Sequence, residues 1–83
     1  MKTITIKREI EGNRANFYNG DFIIAEVKQN RRLPEGFYCG KVNGFGELFS
    51  YENDFNEAVD NVSHFIENTF YHNFRIKIEF ENK

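Results

Sequence analysis

From Asp54 to Phe70 the chain reads DFNEAVDNVSHFIENTF, and the spacing of its apolar residues decides the fold. Phe55, Ala58, Val59, Val62, Phe65, Ile66 and Phe70 recur at steps of three and four, the period that gathers side chains on one side of an α-helix. Asn56, Glu57, Asp60, Asn61, His64, Glu67 and Asn68 fall on the other side and face water. The start is marked by Asp54-Phe55-Asn56-Glu57, a capping box: the Asp54 carboxylate takes an unpaired backbone N–H, and Glu57 reaches back to the cap. The segment predicts one amphipathic helix over about 54–70, whose apolar stripe is core and needs a sheet to cover it.

That sheet is visible on both sides of the helix. After it, Phe74, Ile76, Ile78 and Phe80 alternate with Arg75, Lys77 and Glu79, the period of a half-buried strand. Before it, Ile4, Ile6 and Ile10 fall at even spacing in a first strand, Thr3 to Ile10. Glu11-Gly12-Asn13 supplies a turn, and Arg14 to Tyr18 is a short second strand. Asn19-Gly20 suits a type I′ hairpin, because both residues tolerate positive φ. A third strand, Asp21 to Lys28, is nearly continuous in apolar character from Phe22 to Val27, as expected of a central strand covered on both faces or nearly so. Gln29 to Gly36 carries two Arg, Pro34 and a Gly and reads as an exposed loop; Phe37 to Asn43 reads as the return strand. Asn43-Gly44-Phe45-Gly46 predicts a bulge or bend that lets the chain cross toward the helix with Phe45 tucked under it. The fold expected is α+β: a single antiparallel sheet of about four to five strands with one α-helix on one face, in the order β-β-β-β-α-β, forming one domain over 1–83. Uncapped edges at residues 3–10 or 14–18 make a homodimer through a strand edge an expectation of the same reading.

Eighty-three residues hold a single domain, too small for a multi-domain enzyme. Ten Phe and four Tyr give an aromatic content of 17%, which concentrates buried area where no disulfide acts as a staple. One helix cannot cover all of these rings; Phe17, Phe37, Phe45, Phe49, Tyr18, Tyr38 and Tyr51 are expected in part on the uncovered face of the sheet. The single Cys39 cannot pair within the chain, and Met1-Lys2-Thr3-Ile4-Thr5 lacks the apolar core of a signal peptide. No apolar run is long enough to span a bilayer, so a cytoplasmic protein is expected. The net charge of -2 hides a split. Residues 1–32 carry Lys2, Lys7, Arg8, Arg14, Lys28, Arg31 and Arg32 against four acids, whereas residues 33–70 carry Glu35, Glu47, Glu52, Asp54, Glu57, Asp60 and Glu67 against Lys41 alone. Such a dipole favours oriented docking on a charged partner.

The chemistry-bearing residues form few constellations. His64 follows Asp60 by four positions on the polar face of the helix, where the two are expected to pair across one turn. A third metal ligand at a recognisable spacing is missing, so no metal or cofactor is expected. Glu57, Asp60 and Glu67 share a solvent stripe preceded by Glu52; with His64 they are the residues expected to bind a protein partner. Lys28, Arg31 and Arg32, with Lys7, Arg8 and Arg14, are the residues that would hold phosphates if the protein were a small nucleic-acid-binding module, although no ribonucleoprotein motif accompanies them. Gly44-Phe45-Gly46 does not follow the pattern of a phosphate loop. No Ser-His-Asp or Cys-His arrangement can be assembled, and an enzyme is not expected.

Phe22-Ile23-Ile24-Ala25-Glu26-Val27, a polar loop, Gly36-Phe37-Tyr38-Cys39-Gly40-Lys41-Val42, the Asn43-Gly44-Phe45-Gly46 bend and Asn53-Asp54-Phe55-Asn56-Glu57-Ala58-Val59 together resemble the N-terminal domain of HicB-like antitoxins. That family joins two antiparallel strands, a glycine-containing bend, a T-x-x-E-A helix start and a final strand in a partial ribonuclease-H-like fold. Here Asp54 stands at the capping Thr, Glu57-Ala58 at the Glu-Ala pair and Gly46 near the bend glycine. Over residues 21–80 the resemblance implies a non-enzymatic inhibitor that neutralises a nucleic-acid-processing protein, its acidic helix face meeting the basic surface of an RNA-cutting toxin. Residues 1–20 add a strand pair that the family does not need. The DNA-binding domain into which most such antitoxins continue has no counterpart in these residues, so operator binding is not implied. The competing class is a phage-encoded or mobile-element anti-defence protein of the anti-CRISPR type, which would block a host nuclease complex by the same occlusion.

Overall fold

The computed structural model describes residues 1–29, 38–43, 46–52 and 54–82, without the side chains of Cys39 and of 46–52. Six strands and one helix follow in the order β1 (Lys2–Glu11), β2 (Arg14–Asn19), β3 (Phe22–Gln29), β4 (Tyr38–Val42), β5 (Gly46–Glu52), α1 (Phe55–Phe74) and β6 (Ile76–Asn82). They form one sheet, ordered β5-β4-β3-β2-β1-β6, with α1 packed on one face. This is the expected α+β architecture of a single sheet and one helix. It has one strand more than the sequence predicts, because β5 follows β4 directly: Val42 lies opposite Gly46, Lys41 opposite Glu47 and Gly40 opposite Leu48. The chain therefore adds a strand after Asn43 and only then crosses to the helix. Gly44 and Phe45, like residues 30–37 with Arg31 and Arg32 among them, lie outside the described residues.

Both early hairpins turn on a glycine followed or preceded by polar residues. Gly12 and Gly20 have φ of 60° and 61°, and the flanking pairs are Glu11 with Arg14 and Asn19 with Phe22. The second turn is thus Gly20-Asp21, with Asn19 paired inside β2. Positive φ at the first central residue alone is the type II′ pattern, which needs Gly at that one place, where type I′ would need positive φ at two. Between Phe17 and Tyr18 the β2–β3 register shifts, so that Phe17 faces Ala25 while Tyr18 faces Ile23.

The last strand pairs parallel to β1, with Lys2 opposite Ile76, Ile4 opposite Ile78 and Ile6 opposite Phe80. An antiparallel return was expected there. A 20-residue helix is long enough to carry the chain back across the sheet, and a parallel neighbour requires such a crossover. The consequence for the edges is direct. β1 lies between β2 and β6, residues 14–18 pair with β1, and 15–19 pair with β3; the terminal strands are β5 and β6 rather than the expected 3–10 and 14–18.

The helix starts as its sequence dictates. Asp54 is extended, its carboxylate accepts the Asn56 N–H at 2.9 Å, and its carbonyl accepts the Ala58 N–H at 3.1 Å. The helix does not stop near Phe70, however. Arg75 closes it in the left-handed conformation (φ 55°, ψ 39°), its N–H reaching the carbonyls of Phe70 and Tyr71. Phe74 is therefore the last helical residue, 63% exposed, and not the first of the strand alternation. Left-handed backbone disfavours a residue bearing a Cβ. Arg75→Gly is expected to stabilise the fold by about 0.5–1 kcal/mol, seen as a rise of several degrees in the melting midpoint. An unchanged or lower midpoint would show that the Arg75 side chain, whose guanidinium lies 5.8 Å from the Tyr71 ring centre, contributes more than its backbone costs.

The core lies between α1 and the sheet. Ala58, Val59, Val62 and Ile66 of the helix meet Ile6, Ala15, Phe17, Ala25, Val27, Val42 and Ile78, all buried. Phe17 meets Phe80 edge to face at 6.2 Å, and Tyr38 meets Phe55 at 5.5 Å. Phe17 thus belongs to the covered face and not to the open one. Tyr38 packs on the covered face as well, Tyr18 lies on the open one, and the side chains of Phe37, Phe45, Phe49 and Tyr51 lie outside the described residues. β3 is covered on one side only: Ile23 is exposed, and Glu26 and Lys28 point away from the core side that Ala25 and Val27 occupy.

Candidate functional site

The outward face of α1 gathers the predicted acidic residues. Glu57, Asp60 and His64 are exposed and Glu67 is half-exposed, at successive spacings of three, four and three. On an α-helix this row runs about 15 Å. The 20-residue helix carries three carboxylates and no Lys or Arg, so the row has one sign of charge wherever its histidines are neutral. Glu57 sits in the first turn, where the positive end of the helix dipole favours a carboxylate.

His64 does not pair with Asp60 as expected. Its Nδ1 lies 3.9 Å from Glu67 Oε1, one turn toward the C-terminus. Both carboxylates are helical neighbours of His64, and the longer Glu side chain reaches it. At 71% and 47% exposure the pair is an ordinary surface contact. Among the described residues no three His, Cys, Asp or Glu groups gather to hold a metal ion. Glu52 ends β5, opposite Tyr38 and two positions before the cap, which places its backbone at the N-terminal end of the same helix.

The described bases divide between the two faces of the sheet. Lys28 Nζ lies 3.6 Å from Glu26, and Arg14 reaches the same carboxylate at 3.8 Å, so one acid is shared by two of the bases. Arg8 is turned to the helix side: its Nε donates to Asn82 Oδ1 at 2.9 Å, one terminal nitrogen donates to Ser63 Oγ at 3.1 Å, and the guanidinium lies 4.8 Å from the Phe80 ring centre. Ser63 in turn donates to the Val59 carbonyl at 2.8 Å. Arg8 is a structural clasp joining β1, α1 and β6. Lys7 remains on the open face, in a polar recess with Glu9, Tyr18 and Asp21.

One feature is absent from the sequence-based expectations. Ile24, Val42, Phe65, Phe70 and Phe74 line an apolar recess of about 270 Å³ between the second half of α1 and the ends of β3 and β4, with Asn43 at its rim bonded to the Ile23 carbonyl. Sequence hides it because Phe74 reads as a strand residue and because the register shift in β3 turns Ile24 toward the helix.

No helix among the described residues is long and apolar enough to cross a membrane. Comparison with protein-family models, with curated proteins and with solved structures finds no match to this chain.

Proposed function

We propose that the protein is a non-enzymatic inhibitor that binds a basic, nucleic-acid-processing protein and neutralises it by occlusion, in the manner of HicB-like antitoxins. The observation that carries the reading is the outward face of α1: Glu57, Asp60, His64 and Glu67 in one row on a helix without a Lys or Arg. A nuclease that grips phosphates presents Lys and Arg in its groove, and an acidic row of this kind occupies the groove and steers the approach. The rigid mount supports it further, since the opposite side of the same helix is locked into the core through Ala58, Val59, Val62 and Ile66. Among the described bases, Arg8 is held by Asn82 and Ser63 and the charges of Arg14 and Lys28 are partly offset by the Glu26 carboxylate they share, which favours this reading over a nucleic-acid-binding module.

The experiment is paired capture from the native host. The wild-type protein and the variant Glu57→Lys/Asp60→Lys/Glu67→Lys are each tagged and used as bait, and recovered proteins are identified. The expected result is a basic nucleic-acid-cutting enzyme, inhibited in purified form by the wild type and lost from the reversed bait. A toxin encoded beside the protein makes it an antitoxin; a subunit of a host nuclease complex makes it an anti-defence inhibitor. Equal recovery of that enzyme by a folded triple variant rejects the helix face, and an enzyme left fully active by the protein rejects inhibition.

A further inference from the structure

We propose that the chain forms a two-fold symmetric dimer through the outer edge of β6, the two copies of that strand running antiparallel with Ile78 of one opposite Ile78 of the other. β6 is the terminal strand beside β1, and among the described residues its second side has no strand partner. A terminal strand offers a row of unpaired N–H and C=O groups, and folded proteins usually blunt it with proline, a bulge, a short length or repelling charge. β6 has none of the first three: it is seven residues long, contains no Pro, and pairs with β1 without a register shift.

Its charges are self-complementary rather than repelling. On the open face of the sheet β6 presents exposed Lys77, Glu79 and Glu81; on the helix side it presents Ile76, Ile78 and Phe80. A two-fold axis at Ile78 sets Lys77 of each copy directly opposite Glu79 of the other, twice by symmetry, and sets Ile76 opposite Phe80, also twice. The neighbouring symmetric registers oppose like charges at the axis, even though centring on Glu79 would also pair Lys77 with Glu81. Centring on Lys77 opposes two lysines, and centring on Glu79 opposes two glutamates. Ile76 and Phe80 are only half-buried in one copy, so the Ile78 register also continues the apolar layer under α1 from one copy into the next. The occupant of this edge is therefore a second copy of the same chain.

Sedimentation equilibrium from about 5 to 500 µM, a range set to detect weak strand-edge pairing, tests the proposal on the full chain. The expected mass at the upper end is twice 9.9 kDa. Lys77→Glu opposes two glutamates at two places and is expected to raise the dimer dissociation constant at least about tenfold. The swap Lys77→Glu/Glu79→Lys restores the pairing in the Ile78 register and is expected to return the constant to within about threefold of wild type. Both residues are exposed, so the fold should survive, which circular dichroism checks. A mass of 9.9 kDa throughout overturns the dimer. A dimer indifferent to Lys77→Glu overturns the edge, and a dimer weakened by Lys77→Glu but not rescued by the swap overturns the register.

Discussion

Phe17→Ala is expected to remove about 3–5 kcal/mol of stability, the range for deleting a fully buried aromatic ring. A domain of this length holds about 4–12 kcal/mol in all, so the variant loses from about a quarter to all of its stability and should melt well below wild type. The cost falls at the high end because the site cannot collapse. Phe17 is 0% exposed, its opposite residue on β3 is Ala25, and its neighbour on the same face of β2 is Ala15. Two small residues make the room that the ring fills, and neither can move into the space it leaves. The edge-to-face contact with Phe80 is lost as well, which loosens β6 against β1 and α1. Thermal and urea melts measure the effect. Phe22→Ala is the control, since that ring is 77% exposed and its loss should change stability by less than about 0.5 kcal/mol. A Phe17→Ala protein that melts within a few degrees of wild type would contradict the assignment of Phe17 to the core.

Arg8→Ala is expected to cost about 2–3 kcal/mol, the second largest single effect, from the charged hydrogen bonds and ring contact it removes. The guanidinium makes two charged hydrogen bonds, to Asn82 and Ser63, and lies over the Phe80 ring. The part-buried hydrogen bond to Ser63 contributes about 1.5–2 kcal/mol, the low end for a charged donor, the exposed one to Asn82 little, and the partly exposed cation–π contact about 0.5–1. Removal leaves Ser63 satisfied through Val59, so the loss is the clasp itself and not a newly orphaned hydroxyl. Arg8→Lys should recover little, because a single ammonium cannot reach both partners while stacking on a ring. If Lys restores full stability in denaturant melts, the forked geometry is not what matters.

Much of this fold is legible in the sequence, and the failures have particular causes. The helix start is readable because Asp54 is an acceptor at the cap position and apolar residues follow at helical spacing. Its end is not, because a non-glycine residue, Arg75, takes the left-handed conformation that usually marks itself with Gly. That single displacement moves Phe74 from strand to helix and conceals the apolar recess beside it. β5 is missed because Gly46-Glu47-Leu48-Phe49-Ser50-Tyr51-Glu52 mixes apolar and polar residues at both its odd and its even positions, leaving no period of two to find. Alternation in β6 identifies its faces but says nothing of direction, and so the parallel pairing with β1 is invisible. The acidic row is legible, since periodicity alone puts Glu57, Asp60, His64 and Glu67 on one side. The partner of His64 is not: carboxylates stand at both helical distances, and side-chain length decides between them. Arg8 counts as a surface base in sequence, because nothing local shows that Ser63 and Asn82 will come within its reach.

The central claim is that the acidic face of α1 does the blocking, and an inhibition titration tests it most directly. The captured nucleic-acid-processing enzyme is assayed with increasing wild-type protein, with Glu57→Lys/Asp60→Lys/Glu67→Lys, and with wild type at raised salt. Reversing three charges against a basic groove is expected to raise the half-inhibitory concentration at least about a hundredfold, and added salt to weaken the wild type in the same direction. A folded triple variant that inhibits as well as wild type, at any salt, would contradict the account.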